Sequence, residues 1–188
     1  MYYLVGQDLK DCIRIGKERT TNNRQANTKN LNFSKRNDEL ISIQGVIGEF
    51  VFCKLFQIDT APLADTRCRN RWNDSFDARI ANKTIDVKTP FSHDSELWVT
   101  ISRGDHPPDL YCLMTLERPD ALSDDMPFDA ETESVEVQFH GFIHRGQLLR
   151  GGNIKRRGKQ CVYVAQSSML LPLEELINVE SRDLPRLF

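Results

Sequence analysis

The sequence predicts an α/β (α+β) protein with a mixed central β-sheet flanked by helices, and three observations predict it. Residues 38 to 56 carry apolar side chains around most of a helical circumference. Two short runs, Phe76 to Ile80 and Thr84 to Lys88, alternate strictly between apolar and polar side chains, as half-buried strands do. Leu110 to Leu116 is almost continuously apolar, the mark of a central strand covered on both faces.

Composition narrows the classes. At 188 residues the chain is long enough for one core without disulfide or metal staples. The expected organisation is a single domain, with a basic helix and loop over residues 1–37, a core over 38–177 and a tail over 178–188. No apolar run reaches the length of a membrane span, which excludes a membrane partner. The start, Met1 to Gly6, lacks the basic and apolar regions of a signal peptide, so a cytoplasmic location is expected. The five cysteines (Cys12, Cys53, Cys68, Cys112, Cys161) include no C-x-x-C pair, which argues for reduced thiols and against a zinc site. His140 and His144 have the spacing of a zinc helix, but Gly141 between them and the preceding alternation of Val135, Val137 and Phe139 predict a strand.

The elements follow in order. Residues 8–20 predict a short helix capped by Asp8, and the Asn-rich stretch Thr20 to Asn32 predicts a loop that could order as a basic arm. Asp38 is placed to cap the long apolar helix. Its internal Gly45 and Gly48 each cost about 1 kcal/mol against alanine, and Gly45, one turn before Glu49, is read as the point of close approach. A polar connector over Gln57 to Ser75 leads to the two alternating runs. Leu97 to Ser102 predicts a third strand, Pro107-Pro108-Asp109 a turn, and Glu133 to Ile143 a further strand. Gly151 to Gly158 reads as a glycine-punctuated basic loop, Gln160 to Ala165 as a strand, and Pro172 to Ile177 as the start of a last helix.

The two alternating runs form a hairpin, with Ala81-Asn82-Lys83 between them. An odd loop would mix apolar and charged faces, so parity favours an even one, Asn82-Lys83 or Ala81 to Thr84. That register sets Arg79 opposite Asp86 and Asp77 opposite Lys88. Neighbouring side chains on such strands lie within about 5–8 Å, close enough for two carboxylates to share a hard cation. The acid-x-Lys spacing by itself says little, since Asp8-Leu9-Lys10 shows it at a helix start. Context gives Asp86-Val87-Lys88 its weight.

An acid, then a second acid and a lysine two residues further, on adjacent strands, resembles the PD-(D/E)XK nuclease superfamily. The likeness is carried by Asp77, by Asp86-Val87-Lys88 and by Gly48-Glu49 in the preceding helix; Phe76 stands where that superfamily often has proline. It covers residues 39–102, and more loosely, in strand order, extends to 177. The resemblance implies a restriction-endonuclease-like fold and Mg²⁺-dependent phosphodiester hydrolysis of DNA, with Mn²⁺ as a substitute ion. Asp77, Asp86, Glu49 and the Val87 backbone carbonyl would be metal ligands, with Lys88 stabilising the attacking water and transition state. A homodimer is compatible with it.

Charge distribution is consistent with a polyanion. The net charge of −2 is unremarkable, but residues 145–159 hold six bases and no acid, while residues 120–136 hold seven acids and no base. Segregation of this kind gives a phosphate-binding face whatever the total. Lys155, Arg156, Arg157 and Lys159 are the candidate DNA contacts. Two other classes compete: a catalytically inert nuclease-fold module that binds DNA or a partner, and an unrelated α/β protein whose Arg79–Asp86 and Asp77–Lys88 pairs are cross-strand salt bridges.

Overall fold

The computed structural model describes residues 1–26, 37–65, 76–80, 82–90, 96–100, 107–119, 122, 126–157, 160–172 and 174–175. Eight strands run in chain order: β1 (Tyr2–Leu4), β2 (Ala78–Ile80), β3 (Lys83–Lys88), β4 (Glu96–Val99), β5 (Leu110–Glu117), β6 (Val135–His144), β7 (Asn153–Arg157) and β8 (Gln160–Gln166). The helices are α1 (Gly6–Gln25), α2 (Asp38–Leu55) and α3 (Arg145–Gly151). The architecture is α+β. Five strands hydrogen bond in the order β1-β6-β5-β3-β2, with β3 and β5 parallel and β2 and β3 antiparallel, and β4-β8-β7 make a separate antiparallel sheet. The expected single central sheet is therefore two sheets: alternation marks a strand but does not name its partner. Among the described residues no helix is long and apolar enough to cross a membrane.

The chain clusters into two compact units. Unit 1 comprises Met1–Asn70, Thr89–Asp94 and Met114–Phe139; unit 2 comprises Arg71–Lys88, Ser95–Leu113 and His140–Phe188. In unit 1, α2 is buried on nearly every side through Leu40, Ile43, Val46, Ile47, Phe50, Val51 and Phe52, and α1 adds Leu9, Cys12 and Ile15. Asn37, one residue before the expected Asp38, caps α2 by accepting from the Glu39 N–H at 3.0 Å.

Helix α1 is longer than its sequence suggests. It starts at Gly6 without a side-chain cap, so Asp8 lies in its first turn, and it continues through residues expected to be loop. The polar residues there are satisfied within the helix. Thr20 Oγ1 donates to Gly16 O, Thr21 Oγ1 donates to Lys17 O, both at 3.0 Å, and Arg14 pairs with Glu18 one turn on.

Two glycines in unit 1 mark close approaches. A Cβ on Gly16 would lie 2.6 Å from Ile43 Cα and 2.7 Å from Ile43 N, so α1 crosses α2 with backbone nearly touching backbone. On Gly48 it would collide with Thr89 Oγ1, whereas Gly45, the expected point of approach, meets only Glu49 Oε1 at 3.9 Å. Gly16→Ala should therefore destabilise the protein by about 1–3 kcal/mol through overpacking, although alanine gains about 1 kcal/mol in helix propensity. Urea denaturation of that variant beside Gly45→Ala, which has room for a methyl group, checks this; equal or greater stability for Gly16→Ala would contradict the crossing.

Unit 2 has its own core, built from Leu97, Val99, Tyr111, Leu113, Ile143, Leu148 and Ala165, with Tyr163, Met169 and Leu170 packed against it. The stretch expected to be a basic loop is strand β7, paired with β8 from Asn153↔Val164 to Arg157↔Gln160. Gly158 and Lys159, between those strands, lie outside the described residues, as do residues 173, 176 and 177 of the expected last helix, of which Glu174 and Glu175 are helical.

Candidate active site on the β2–β3 hairpin

In unit 2 the hairpin buries Ala78, Ile80, Ile85 and Val87 and leaves the alternate positions on the other face. Its pairs are Ala78↔Ile85, Arg79↔Thr84 and Ile80↔Lys83. The parity is the expected one, but the register is displaced by two residues, so Arg79 does not face Asp86 and Asp77 does not face Lys88. The pairing runs up to Ile80↔Lys83, so Lys83 is in β3 and not in a loop; Ala81, part of one expected loop, lies outside the described residues. A restraint acts from the other edge of β3. Asp109 Oδ2 accepts from Thr84 N at 2.9 Å and from Thr84 Oγ1 at 3.0 Å, while Asp109 N donates to Thr84 O at 2.9 Å. Those bonds fix β3 against β5, with Ile85↔Leu110 and Asp86↔Tyr111 in register. The Asp109 carboxyl sits below its usual pKa, because the Thr84 hydrogen bonds and the nearby Lys83 and Arg79 outweigh the opposing effect of burial.

The displaced register changes which charges meet. The regular pairing stops at Ala78↔Ile85, and Asp77 does not continue it. Asp77 N donates to Ile85 O at 2.8 Å, and Asp77 Oδ2 accepts from Val87 N at 2.7 Å. A strand residue turns its N–H and C=O toward the same neighbour, so the Val87 carbonyl faces the Asp77 side as well. Lys88 Nζ donates to Asp86 Oδ1 at 2.7 Å, with side-chain exposures of 39% and 19%.

Electrostatics bind these groups into one site. Burial alone would depress the Lys88 pKa, but the carboxylates of Asp86 and Asp77 overcome it and hold the ammonium above its ordinary value. The Cys112 thiol is pushed up by burial and then by the same two carboxylates. Asp77, Asp86 and Lys88 therefore act on one locality.

Glu49 belongs to unit 1. Both of its carboxylate oxygens accept from Arg19 Nη1, at 3.0 and 2.8 Å, and its side chain is 12% exposed. Arg19 thus gives Glu49 a structural partner that the sequence pattern did not name. Of the candidate DNA contacts, Lys155 donates to both oxygens of Glu96, at 3.0 and 2.8 Å, and lies 4.8 Å from the Trp98 ring centroid. Its neighbour Arg156 is exposed, and strand alternation turns it to the opposite face of the β7–β8 ribbon. Arg157 ends β7, and Lys159 lies outside the described residues.

Two residues at the hairpin escaped the sequence reading. Tyr111, inside an apolar run, stands opposite Asp86, and its hydroxyl pKa is raised by burial first and Asp86 second. Arg145, the first residue of α3, lies near enough to Tyr111 to act on its hydroxyl. Neither has a local sequence signature. The only hint was the basic segment that Arg145 opens.

Among the described residues no three His, Cys, Asp or Glu side chains gather as a metal centre. The hairpin offers a sparser donor set of two carboxylates near Lys88 and a main-chain carbonyl. Such a set matches Mg²⁺, which keeps several waters and takes one or two protein carboxylates together with substrate oxygens.

Fold and site together define an α+β protein with an acidic pair and a lysine on one hairpin. The chain belongs to a family of unknown function, DUF5843, whose model matches residues 1–182. No curated protein and no solved structure matches it.

Proposed function

We propose that this protein is a metal-dependent deoxyribonuclease of restriction-endonuclease-like fold that hydrolyses phosphodiester bonds, acting as an endonuclease. The observation that carries the reading is the gathering of Asp77, Asp86 and Lys88 at one hairpin, with Asp77 accepting from Val87 N and Lys88 donating to Asp86. Asp77, Asp86 and the Val87 carbonyl would hold Mg²⁺, or Mn²⁺ in its place. The bound ion would supply Lewis acidity toward a phosphoryl oxygen and lower the pKa of a coordinated water. Lys88 would orient the attacking water and offset negative charge as it develops at phosphorus. The bond from Val87 N–H would steady Asp77 for that role, and the clamp of Asp109 on Thr84 would steady β3, which carries Asp86. Glu49 lies in unit 1, where Arg19 engages both of its oxygens, and it is not among the proposed ligands.

A specific contact favours a second reading. Because Lys88 is taken up by Asp86, the same hairpin would also suit an inert nuclease-fold module that binds DNA or a partner. Incubating the purified protein with plasmid, linear duplex and single-stranded DNA, each in Mg²⁺, Mn²⁺ or EDTA, decides between them. Cleavage in either metal and none in EDTA is the expected result. Binding in Ca²⁺ with no cleavage in any combination would select the inert module.

A further inference from the structure

Resting on the nuclease reading, we propose that Arg145 contacts a phosphate oxygen of the DNA strand at the hairpin site, and that Tyr111 is the positioning residue that presents it. Three features of unit 2 lead there.

The first is placement. Tyr111 is opposite Asp86 in the parallel β3–β5 pair, so its ring projects from the same sheet face as Asp86, and it is almost wholly buried. The Arg145 guanidinium lies near the Tyr111 hydroxyl, one side chain from Asp86. Its backbone is tied to the same strands: Arg145 N donates to Asp109 O at 2.9 Å, and Asp109 is the residue that clamps Thr84 of β3. An arginine here is located by the framework that locates Asp86.

The second is an unmet donor. Among the described residues Arg145 Nε is buried without a hydrogen-bond partner. Buried polar groups are rarely left so, and the donor of a charged group is the costliest to leave. The residue as a whole is only half-buried. A planar fork with one donor unsatisfied and a face toward solvent suits a phosphate, which accepts two parallel N–H bonds from arginine.

The third is charge. Asp86 makes its ion pair with Lys88, and among the described residues no carboxylate is in salt-bridge contact with Arg145. Two carboxylates, one ammonium and one guanidinium sum to neutrality, and a divalent ion added to them leaves the site positive toward a phosphodiester.

The test uses the full chain with Arg145→Ala, Arg145→Gln, Arg145→Lys and Tyr111→Phe, each checked for folding by circular dichroism. Duplex DNA affinity is measured in Ca²⁺ over a range of salt, and single-turnover cleavage in Mg²⁺. Loss of one phosphate contact should flatten the log–log salt dependence by about 0.9 in Arg145→Ala and Arg145→Gln. Arg145→Lys should keep the slope and cleave more slowly, because an ammonium keeps the charge but not the fork. Tyr111→Phe should keep the slope and weaken affinity less than Arg145→Ala. If Arg145→Ala misfolds, Arg145→Gln carries the comparison. Wild-type slope and affinity in the neutral variants, with the wild type cutting normally, would overturn the Arg145 assignment alone. A wild type that neither binds nor cuts DNA removes the nuclease reading and this assignment with it.

Discussion

Asp86→Asn and Lys88→Ala should each reduce Mg²⁺-dependent DNA cleavage by about 10²- to 10³-fold or more, the usual loss when one group aimed at transition-state charge is removed. Folding and affinity for DNA in Ca²⁺ should change little. The contrast follows from where each charge matters. In the resting protein Lys88 and Asp86 form a partly exposed pair at 2.7 Å, and such pairs contribute at most about 1 kcal/mol to stability. For a chain of this size that is a shift of roughly 2–4 °C in Tm. In the transition state the same groups would act on charge that develops in a water-poor site, where they count for far more. Cleavage rate, Tm and Ca²⁺-supported binding are measured for the wild type and both variants. Variants that cut as fast as the wild type would leave Asp86 and Lys88 as an ordinary surface pair.

The largest stability effect is expected well away from the hairpin, at Arg118 in unit 1. Its guanidinium meets both oxygens of Glu133, donates to the main-chain oxygens of Met126 at 2.9 Å and Pro127 at 3.1 Å, and stacks 4.2 Å from the Phe128 ring centroid. Glu133 also accepts from Asp129 N at 3.0 Å. The two side chains are 3% and 1% exposed. Arg118→Ala would bury an uncompensated carboxylate, a change that costs about 3–5 kcal/mol, and the melting temperature should fall by on the order of 10 °C. Replacing both partners, as Arg118→Met with Glu133→Leu, should cost less than the single variant, because no lone charge stays behind. Thermal melts of the two variants test this, and a single-variant loss below about 1 kcal/mol would show that Glu133 finds another partner.

Much of this was legible in the sequence, and what was not has identifiable causes. Helix α2, the hairpin and the buried β5 could be read because each buries a wide apolar face, and burial imposes its own period on the residues. Hairpin parity was legible for the same reason, since apolar residues had to share one side. The register was not, because a shift of two residues keeps every side chain on its face. Nor was the setting of β3 against β5 legible, since Asp109 on Thr84 joins residues far apart in the chain. The last turn of α1 was missed because its threonines look loop-forming until their hydroxyls are seen bonded back to the preceding turn. Glycines and basic residues made residues 151–158 look like a loop, although Ile154 and Lys155 belong to a paired strand. Arg19 on Glu49 and Arg145 on Tyr111 join residues far apart in the chain, and no local pattern encodes such pairs.

The burial of the thiols has a practical consequence. Cys12 and Cys53 are buried in unit 1 and Cys112 in unit 2, while Cys161 is exposed. Burial, aided by nearby carboxylates, raises the pKa of both Cys12 and Cys112, so a thiol reagent reaches them as reactive thiolates only when their surroundings open. Cys161 should be labelled within the mixing time and serve as an internal standard. The slower modification of Cys12 and of Cys112, resolved by peptide mass, then times the breathing of each unit separately. Cys112 is paired with Val87 of β3, so its clock runs at the strand that carries Asp86 and Lys88, and a ligand that settles on the hairpin should slow it without touching the rate at Cys12.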